Sequence, residues 1–448
     1  MDDSARLIES LRELLDEGRV DELAARLPEV HPADVARLLA EVPQERRVPV
    51  FRLLTREQAG DVLPELDDQT LLDLVQALEE KEVSHILDTM APDQAADVVE
   101  ELPTEQAESI LDLMQAEKSE EVQELLEYPE ESAGRLMSPE VVAVPETATV
   151  GQALADIRKL APEGGNFEVF VIDSHRHLVG MVPLRRLLTA DPAAAVSAIT
   201  NPDVVTVAPE TDQEEVARIV AKYDVLAIPV VDRANRLLGT VSVDDVVDIL
   251  GHEASEDIFR LAGSDAAELD RRSPRRIALM RLPWILATLV IELGAAVVIR
   301  YHDETLSRVI LLAAFMPVIQ AISGSTGLQS VTMVVRGLAT GHVQLARWWE
   351  PLWRQVQATT IIGLVCGALV GAVGMAWHGT TVFGLVVAVA MFVSVNLSGL
   401  AGTGIPMLSK RLGFDPALSA GPFQTALQDV VGVTIFLSLA TALLRWLA

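Results

Sequence analysis

Two carboxylates occupy stretches of this sequence where charge is costly. Asp429 lies inside the apolar run 422–447 and Glu292 inside 277–299, and a charge at bilayer depth costs at least ~2.5 kcal/mol even on permissive insertion scales. Such acids mark ion pathways, proton relays or paired structural groups. Asp429 is the stronger candidate. Gln428 adjoins it and Thr425 precedes it by one helical turn, so oxygen ligands can line up along one helix face. The competing reading is a protonated or Arg-paired structural acid, and the fifth apolar run offers no nearby base. Around Glu292 stand only Ile, Leu, Gly and Ala, which favours a structural role there. Carboxylate, hydroxyl and carbonyl oxygens suit a hard divalent ion such as Mg²⁺ that keeps much of its water. Zinc prefers Cys and His, which these two runs lack.

The elements that position these acids are five apolar stretches, roughly 277–299, 306–335, 356–378, 381–405 and 422–447. Each is long enough to cross a bilayer, which takes about 20 helical residues. Gly, Ser and Pro interrupt the second (AISGSTG from Ala321) and the fourth (LSGLAGTGIP from Leu397). They mark either close helix packing or backbone exposed to a water-filled cavity. Basic residues fall before the first stretch (Arg271, Arg272, Arg275, Arg276), between the second and third (Arg336, Arg347, Arg354) and between the fourth and fifth (Lys410, Arg411). Because Lys and Arg stay cytoplasmic, the N-terminus is expected inside and the C-terminus outside. An odd span number cannot hold a complete inverted repeat, so a symmetric pathway calls for two chains, a homodimer in membrane lipid.

Charge divides the chain at the same place. Residues 1–275 carry 25 Lys and Arg against 59 Asp and Glu, a net −34, whereas residues 276–448 carry 10 against 6, a net +4. An acidic surface excludes nucleic acid as a partner and favours divalent cations. The charged start Met1-Asp2-Asp3 reads as a cytosolic N-terminus without a cleavable signal. Cys366 has no second thiol to pair with. No nucleophile–base set or phosphate loop appears, so enzyme activity is not expected.

Within the acidic half, segments repeat at steps of 24: HPADVARLLAEV from His31, TREQAGDVLPEL from Thr55 and EEKEVSHILDTM from Glu79. A second set begins at Pro43, Asp67 and Ala91. Each unit opens on a helix-start signal and continues with apolar residues at helical spacing, so residues 1–130 read as an all-α array of stacked helix pairs. After Pro139 the pattern becomes short β-branched runs alternating with helices, and it occurs twice. VVAVPETATVGQAL from Val141 matches VVTVAPETDQEEVA from Val204, and FEVFVIDSHRHLVGMVPLRRLL from Phe167 matches LAIPVVDRANRLLGTVSVDDVV from Leu226. Each copy is expected to run strand, helix, strand, turn, strand, helix. This α/β tandem resembles a pair of cystathionine-β-synthase-type (CBS) domains over 131–254, about 131–195 and 196–254. The resemblance implies a regulatory module that often binds adenine nucleotides. The nucleotide-binding variant carries Ser/Thr-x-x-Asp after its last strand, which the second copy has as Ser242-Val243-Asp244-Asp245 and the first lacks. Ser242 and Asp245 are therefore the candidates for holding ATP.

The order of parts then resembles the MgtE magnesium channels over essentially the whole chain: an acidic helical domain, a CBS pair, a linking helix (255–275) and five spans (276–448). Phe414-Asp415-Pro416-Ala417 and Gly421-Pro422 with Thr425 and Asp429 resemble that family's pore motifs. Ser323 to Ser330 resembles its second-span motif, with Ser325 at the position of the family's Asn. The resemblance implies Asp429 as the central ion-binding carboxylate, Asp415 at the cytosolic mouth, and Thr425, Gln428 and Ser325 along the pathway. It also implies regulatory Mg²⁺ held between domains by Asp93, Asp97, Asp212, Glu214, Asp224, Asp244, Asp245, Asp248, Glu256 and Asp257, closing the pore. Two other classes remain on the residues alone: an ion-coupled secondary transporter of divalent cations, or a CBS-type membrane sensor that conducts nothing.

Overall fold

The structure, a computed structural model, describes residues 3–160, 168–264, 274–417 and 421–447. Arg271, Arg272 and the end of the expected linking segment lie outside the described residues. The chain forms two compact units, Met1–Leu250 and Gly251–Ala448.

The 24-residue steps appear directly as helices. Pro32–Glu41, Arg56–Val62 and Glu80–Leu87 form one set, and Gln44–Phe51, Asp68–Ala77 and Pro92–Glu100 the other. Their starts are locally encoded. Thr55 and Gln58 make a reciprocal capping box, and the Asp67 carboxylate accepts the Thr70 N–H. Apolar faces of these helices bury Leu38, Leu74, Leu87 and Val99 in one core. That core runs on into the second α/β copy through Val207, Val216, Ile228 and Val241, whereas the first copy keeps a core of its own around Val144, Val171 and Val182.

In the first copy β1 (Ala143–Pro145) lies parallel to β2 (Glu168–Ile172), which pairs antiparallel with β3 (Leu178–Pro183). The second copy pairs β4 (Ala227–Val231) with β5 (Leu237–Ser242) in the equivalent register, with an irregularity at the equivalent position. Its expected opening strand shrinks to an isolated parallel bridge, Val207 to Val230. Proline explains the loss. Phe170 donates its N–H to Val142 in the first copy, and the equivalent residue of the second is Pro229, which has no N–H to give. The last helix of the second copy, Val243–Leu261, continues unbroken past the expected boundary at 254.

Five helices among the described residues are long and apolar enough to cross a membrane: Ile277–Tyr301, Leu312–Ala339, Trp349–His378, Thr381–Arg411 and Phe423–Ala442. The second starts later than the sequence suggests, because a separate short helix, Asp303–Arg308, precedes it. The Gly- and Ser-rich segments do not break the second and fourth spans. Ser323, Thr326, Ser330 and Thr403 each donate a hydroxyl to the carbonyl four residues back, which satisfies them inside the helix. Glycine here permits contact. A Cβ on Gly402 would lie 2.4 Å from the Gly327 carbonyl oxygen, and one on Gly371 would lie 2.7 Å from both Ala388 Cβ and the Gly384 carbonyl.

Gly371→Leu should therefore lower the melting temperature of the detergent-solubilised protein, at a cost of about 1–3 kcal/mol for overpacking. Gly404→Ala, where a Cβ meets open space, should leave it nearly unchanged. Equal melting curves for both variants would show that the third and fourth spans do not depend on this approach.

Candidate ion sites

The acidic array brings its carboxylates together at one place. Asp93 and Asp97 stand one turn apart on helix Pro92–Glu100, and Asp245 opens the last helix of the second α/β copy. Burial pushes Asp93 up to about 6, with Asp245 and Glu140 adding like-charge repulsion and a Ser138 hydrogen bond opposing it. One buried Asp93 oxygen, Oδ1, has no hydrogen-bond partner among the described residues. Desolvation also pushes Asp97 up to about 7, against Arg135 and assisted by Asp93, Glu100 and Asp245. The Asp97 side chain is nevertheless 62 % exposed, so water screens that rise and Asp93 is the more confined carboxylate. Asp245 is raised by burial and by Asp244 and Asp248. Its Oδ2 accepts the Ser242 N–H at 3.0 Å and also the Ser242 hydroxyl. Asp245 therefore caps its own helix while facing the helical array.

Arg135 is the positive group that sequence reasoning overlooked. It is 3 % exposed, with Nη2 3.2 Å from Asp97 Oδ1 and 2.6 Å from Glu100 Oε2. A basic residue just after the helical array, before the first strand, was the available signal. One guanidinium against this group of acids leaves negative charge that a proton or a divalent cation can neutralise.

The other expected regulatory residues are placed differently. Asp212 caps helix Gln213–Tyr223 by accepting the Glu214 N–H at 2.9 Å, and Asp224 ends that helix in the left-handed region at φ 52°. These are local structural roles, away from the Asp93 cluster in sequence and element. Glu256 forms an ion pair with Arg260, four residues on in the same helix, and Asp257 follows it in the chain. Arg260 also reaches Asp415 at 2.7 Å, and Asp415 accepts the Ala417 N–H at 2.8 Å. The expected mouth carboxylate thus holds a cation from the chain itself, a partner that the sequence left unassigned.

In the spans, Asp429 is half-buried and within hydrogen-bond reach of Glu292, so the two intramembrane acids meet. Two carboxyl groups so close form a pair of oxygen donors that a cation between them would neutralise. Glu292, read from sequence as structural, is the acidic neighbour of Asp429. Thr425, one turn before Asp429, faces Gly324 of the second span. Gln428 is 3 % exposed and donates to the Ser394 carbonyl at 3.3 Å, which places it in the packing against the fourth span. Ser325 lies on the exposed side of its helix, whereas Ser323, Thr326 and Ser330 are buried. Gln424, not singled out from sequence, is 1 % exposed, and its amide nitrogen and oxygen have no partner among the described residues. Its place one residue before Thr425 was the only signal.

A carboxylate raised above its unfolded value binds its proton more tightly in the docked arrangement, so docking of the helical array on the second copy strengthens as pH falls through about 6, the value for Asp93, and weakens above that. In EDTA, cleavage near residues 128–140, normalised to an unstructured substrate, should be slower at pH 6 than at pH 8, and Asp93→Asn should flatten the difference. Equal rates in wild type would remove the Asp93 cluster as a determinant of docking.

Comparison with known proteins agrees with this organisation. A family described as "Divalent cation transporter" matches residues 316–439, "MgtE intracellular N domain" matches 30–131, and "CBS domain" matches 133–193 and 196–252. The magnesium transporter MgtE of Thermus thermophilus is 36 % identical over 98 % of this chain and 99 % of its own length, and that of Bacillus subtilis is 33 % identical over 96 % of each. A crystal structure of the cytosolic domain of the Mg²⁺ channel MgtE in complex with ATP covers 54 % of this chain and 99 % of its own, at 38 % identity and a TM-score of 0.52. With the acidic array, the CBS pair and the five apolar helices in the same order over the same length, this chain belongs to the MgtE family of magnesium transporters.

Proposed function

We propose that the chain forms a homodimeric Mg²⁺ channel that admits the ion to the cytosol and is closed by cytosolic Mg²⁺. The observation that carries the gating reading is the repulsion that Asp245 exerts on Asp93 and Asp97, beside a buried Asp93 oxygen that has no hydrogen-bond partner among the described residues. Carboxylates on two elements repel until a divalent ion bridges them, so the ion favours the docked arrangement by differential affinity. Asp244, Asp248, Glu256 and Asp257 lie along the same helix as Asp245, Val243–Leu261. Asp415, held by Arg260, provides a second point where an incoming cation competes with a resident one.

For conduction, Asp429 with Glu292 and Thr425 supplies oxygen for a hydrated Mg²⁺. Two features support a dimer with the N-terminus inside and the C-terminus outside. Basic residues alternate between loops, and the first span buries only 6 % of its apolar window within one chain. ATP binding is proposed at the second CBS copy, through Ser242 and Asp245. Because Asp245 also faces the Asp93 cluster, nucleotide and docking compete for one carboxylate.

Asp429→Ala should abolish Mg²⁺ uptake into proteoliposomes while leaving the dimer intact, and Asp429→Asn should be milder if hydrogen bonds to the ion's water shell supply most of the binding. Unchanged uptake in Asp429→Ala would remove the pore assignment. Cleavage near 128–140 should slow as Mg²⁺ rises into the millimolar range and much less in KCl of equal ionic strength, since screening is not bridging. Deleting residues 1–128 should relieve inhibition without ending conduction, and a truncated channel still fully inhibited would place the sensor elsewhere. Calorimetry should detect ATP binding in wild type and lose it in Asp245→Ala; absence of heat in wild type would dismiss the nucleotide site.

A further inference from the structure

The turn between β2 and β3 gathers three metal-ligating side chains within five residues. Asp173, His175 and His177 each offer a ligand atom, and these atoms lie within 4.8 Å of one another. Asp173 Oδ1 accepts the N–H groups of His175 at 2.7 Å and His177 at 2.9 Å, which folds the turn around the carboxylate. Its other oxygen, Oδ2, stands 2.9 Å from His177 Nδ1. The second copy provides an internal comparison. Asp232 accepts the N–H groups of Ala234 and Arg236 in the same way, both at 2.8 Å, but its Oδ2 is met by Arg236 Nε at 2.7 Å. Where the second copy carries its own cation and an Ala, the first carries two imidazoles.

We propose that Asp173, His175 and His177 bind a first-row transition dication of the Zn²⁺, Co²⁺ or Ni²⁺ class, at a site separate from those for Mg²⁺. Imidazole nitrogen favours these ions, while Mg²⁺ demands six oxygens in octahedral array. Metal–ligand bonds of about 2.1 Å place tetrahedral ligands roughly 3.4 Å apart, so Asp173 and His177 are already near that spacing and His175 completes the set by a small side-chain rotation. With its hydrogen on Nε2, His177 presents an Nδ1 lone pair beside Oδ2, and a cation between them replaces the hydrogen bond. Among the described residues only Ser174 Oγ, at 3.2 Å, engages the His175 ring by hydrogen bonding, and the exposed side of the turn leaves the fourth position to water. The site also lies where the copies touch. His177 bridges Arg236, Leu178 donates its N–H to Asn235, and Leu237 donates its N–H to Arg176. A bound metal therefore fixes the turn that joins the two CBS copies.

The test is calorimetry of the untagged, EDTA-stripped full-length protein in detergent, titrated with ZnCl₂ in excess MgCl₂, with CoCl₂ absorption reporting nitrogen ligation. One binding event per chain should survive excess Mg²⁺ and weaken at least about tenfold in His175→Ala and in His177→Ala. His175→Ala removes no backbone hydrogen bond and should keep the wild-type melting temperature, separating loss of a ligand from loss of the fold. The double variant Ala234→His with Arg236→His should add a second event. Zn²⁺ binding unchanged in both single variants, or erased by Mg²⁺, would overturn the proposal.

Discussion

A carboxylate deprived of water needs a proton or a cation beside it, and the arrangement of this protein turns on how that need is met. At the helical array Arg135 serves Asp97 and Glu100, while Asp93 and Asp245 keep a charge deficit that burial makes costly. At the start of the last span Arg260 serves Asp415. Deeper in the membrane half, Asp429 and Glu292 serve each other only if something positive joins them. The three places differ in how completely the chain satisfies its own acids. Where it does so incompletely, an external divalent ion that bridged the acids would gain differential affinity for the compact state, which is the physical basis of the sensing proposed above.

The membrane half meets a different demand, which is to hold polar groups among apolar helices without water. Serine and threonine hydroxyls turn back on their own helices, and glycines let the third and fourth spans and the second and fourth spans approach until backbone touches backbone. This close packing leaves Gln424 and Gln428 buried beside the half-buried Asp429 and Thr425. Small residues and the proposed ion ligands are thus parts of one construction, since the glycines bring the helices that carry them close together.

The two CBS copies share a backbone plan but have diverged in use. The second has lost its opening strand at Pro229, shares its core with the helical array, and presents Asp245 to that array. The first keeps a full three-stranded sheet and an independent core, and its turn carries histidines where the second has Ala234 and Arg236. The separate core of the first copy leaves its exposed turn free to vary in chemistry.

Patterns that depend on near neighbours along the chain were legible in the sequence. The 24-residue helical steps, the duplicated α/β unit, five spans and the acidic half all follow from periodicity, capping and hydropathy, which act over one or two helical turns. Asp429 stood out as an acid inside an apolar run, whereas the choice of Asp93, Asp97 and Asp245 among 65 acids drew on family resemblance, and the surroundings of all four came from the fold. Sequence alone could not say that Asp212 caps the start of a helix and Asp224 its end, that Gln428 packs inward while Ser325 faces outward, or that Pro229 removes a strand pairing. Nor could it join Arg135 to Asp97, Arg260 to Asp415, or Glu292 to Asp429. Those partnerships span from tens of residues to more than a hundred, and a charge's energy depends on how much water surrounds it and what stands within a few ångströms. The sequence by itself determined which groups could carry charge and which segments would become helices or strands. Tertiary structure decided which charges face one another out of water, because distance and desolvation exist only once the chain has folded.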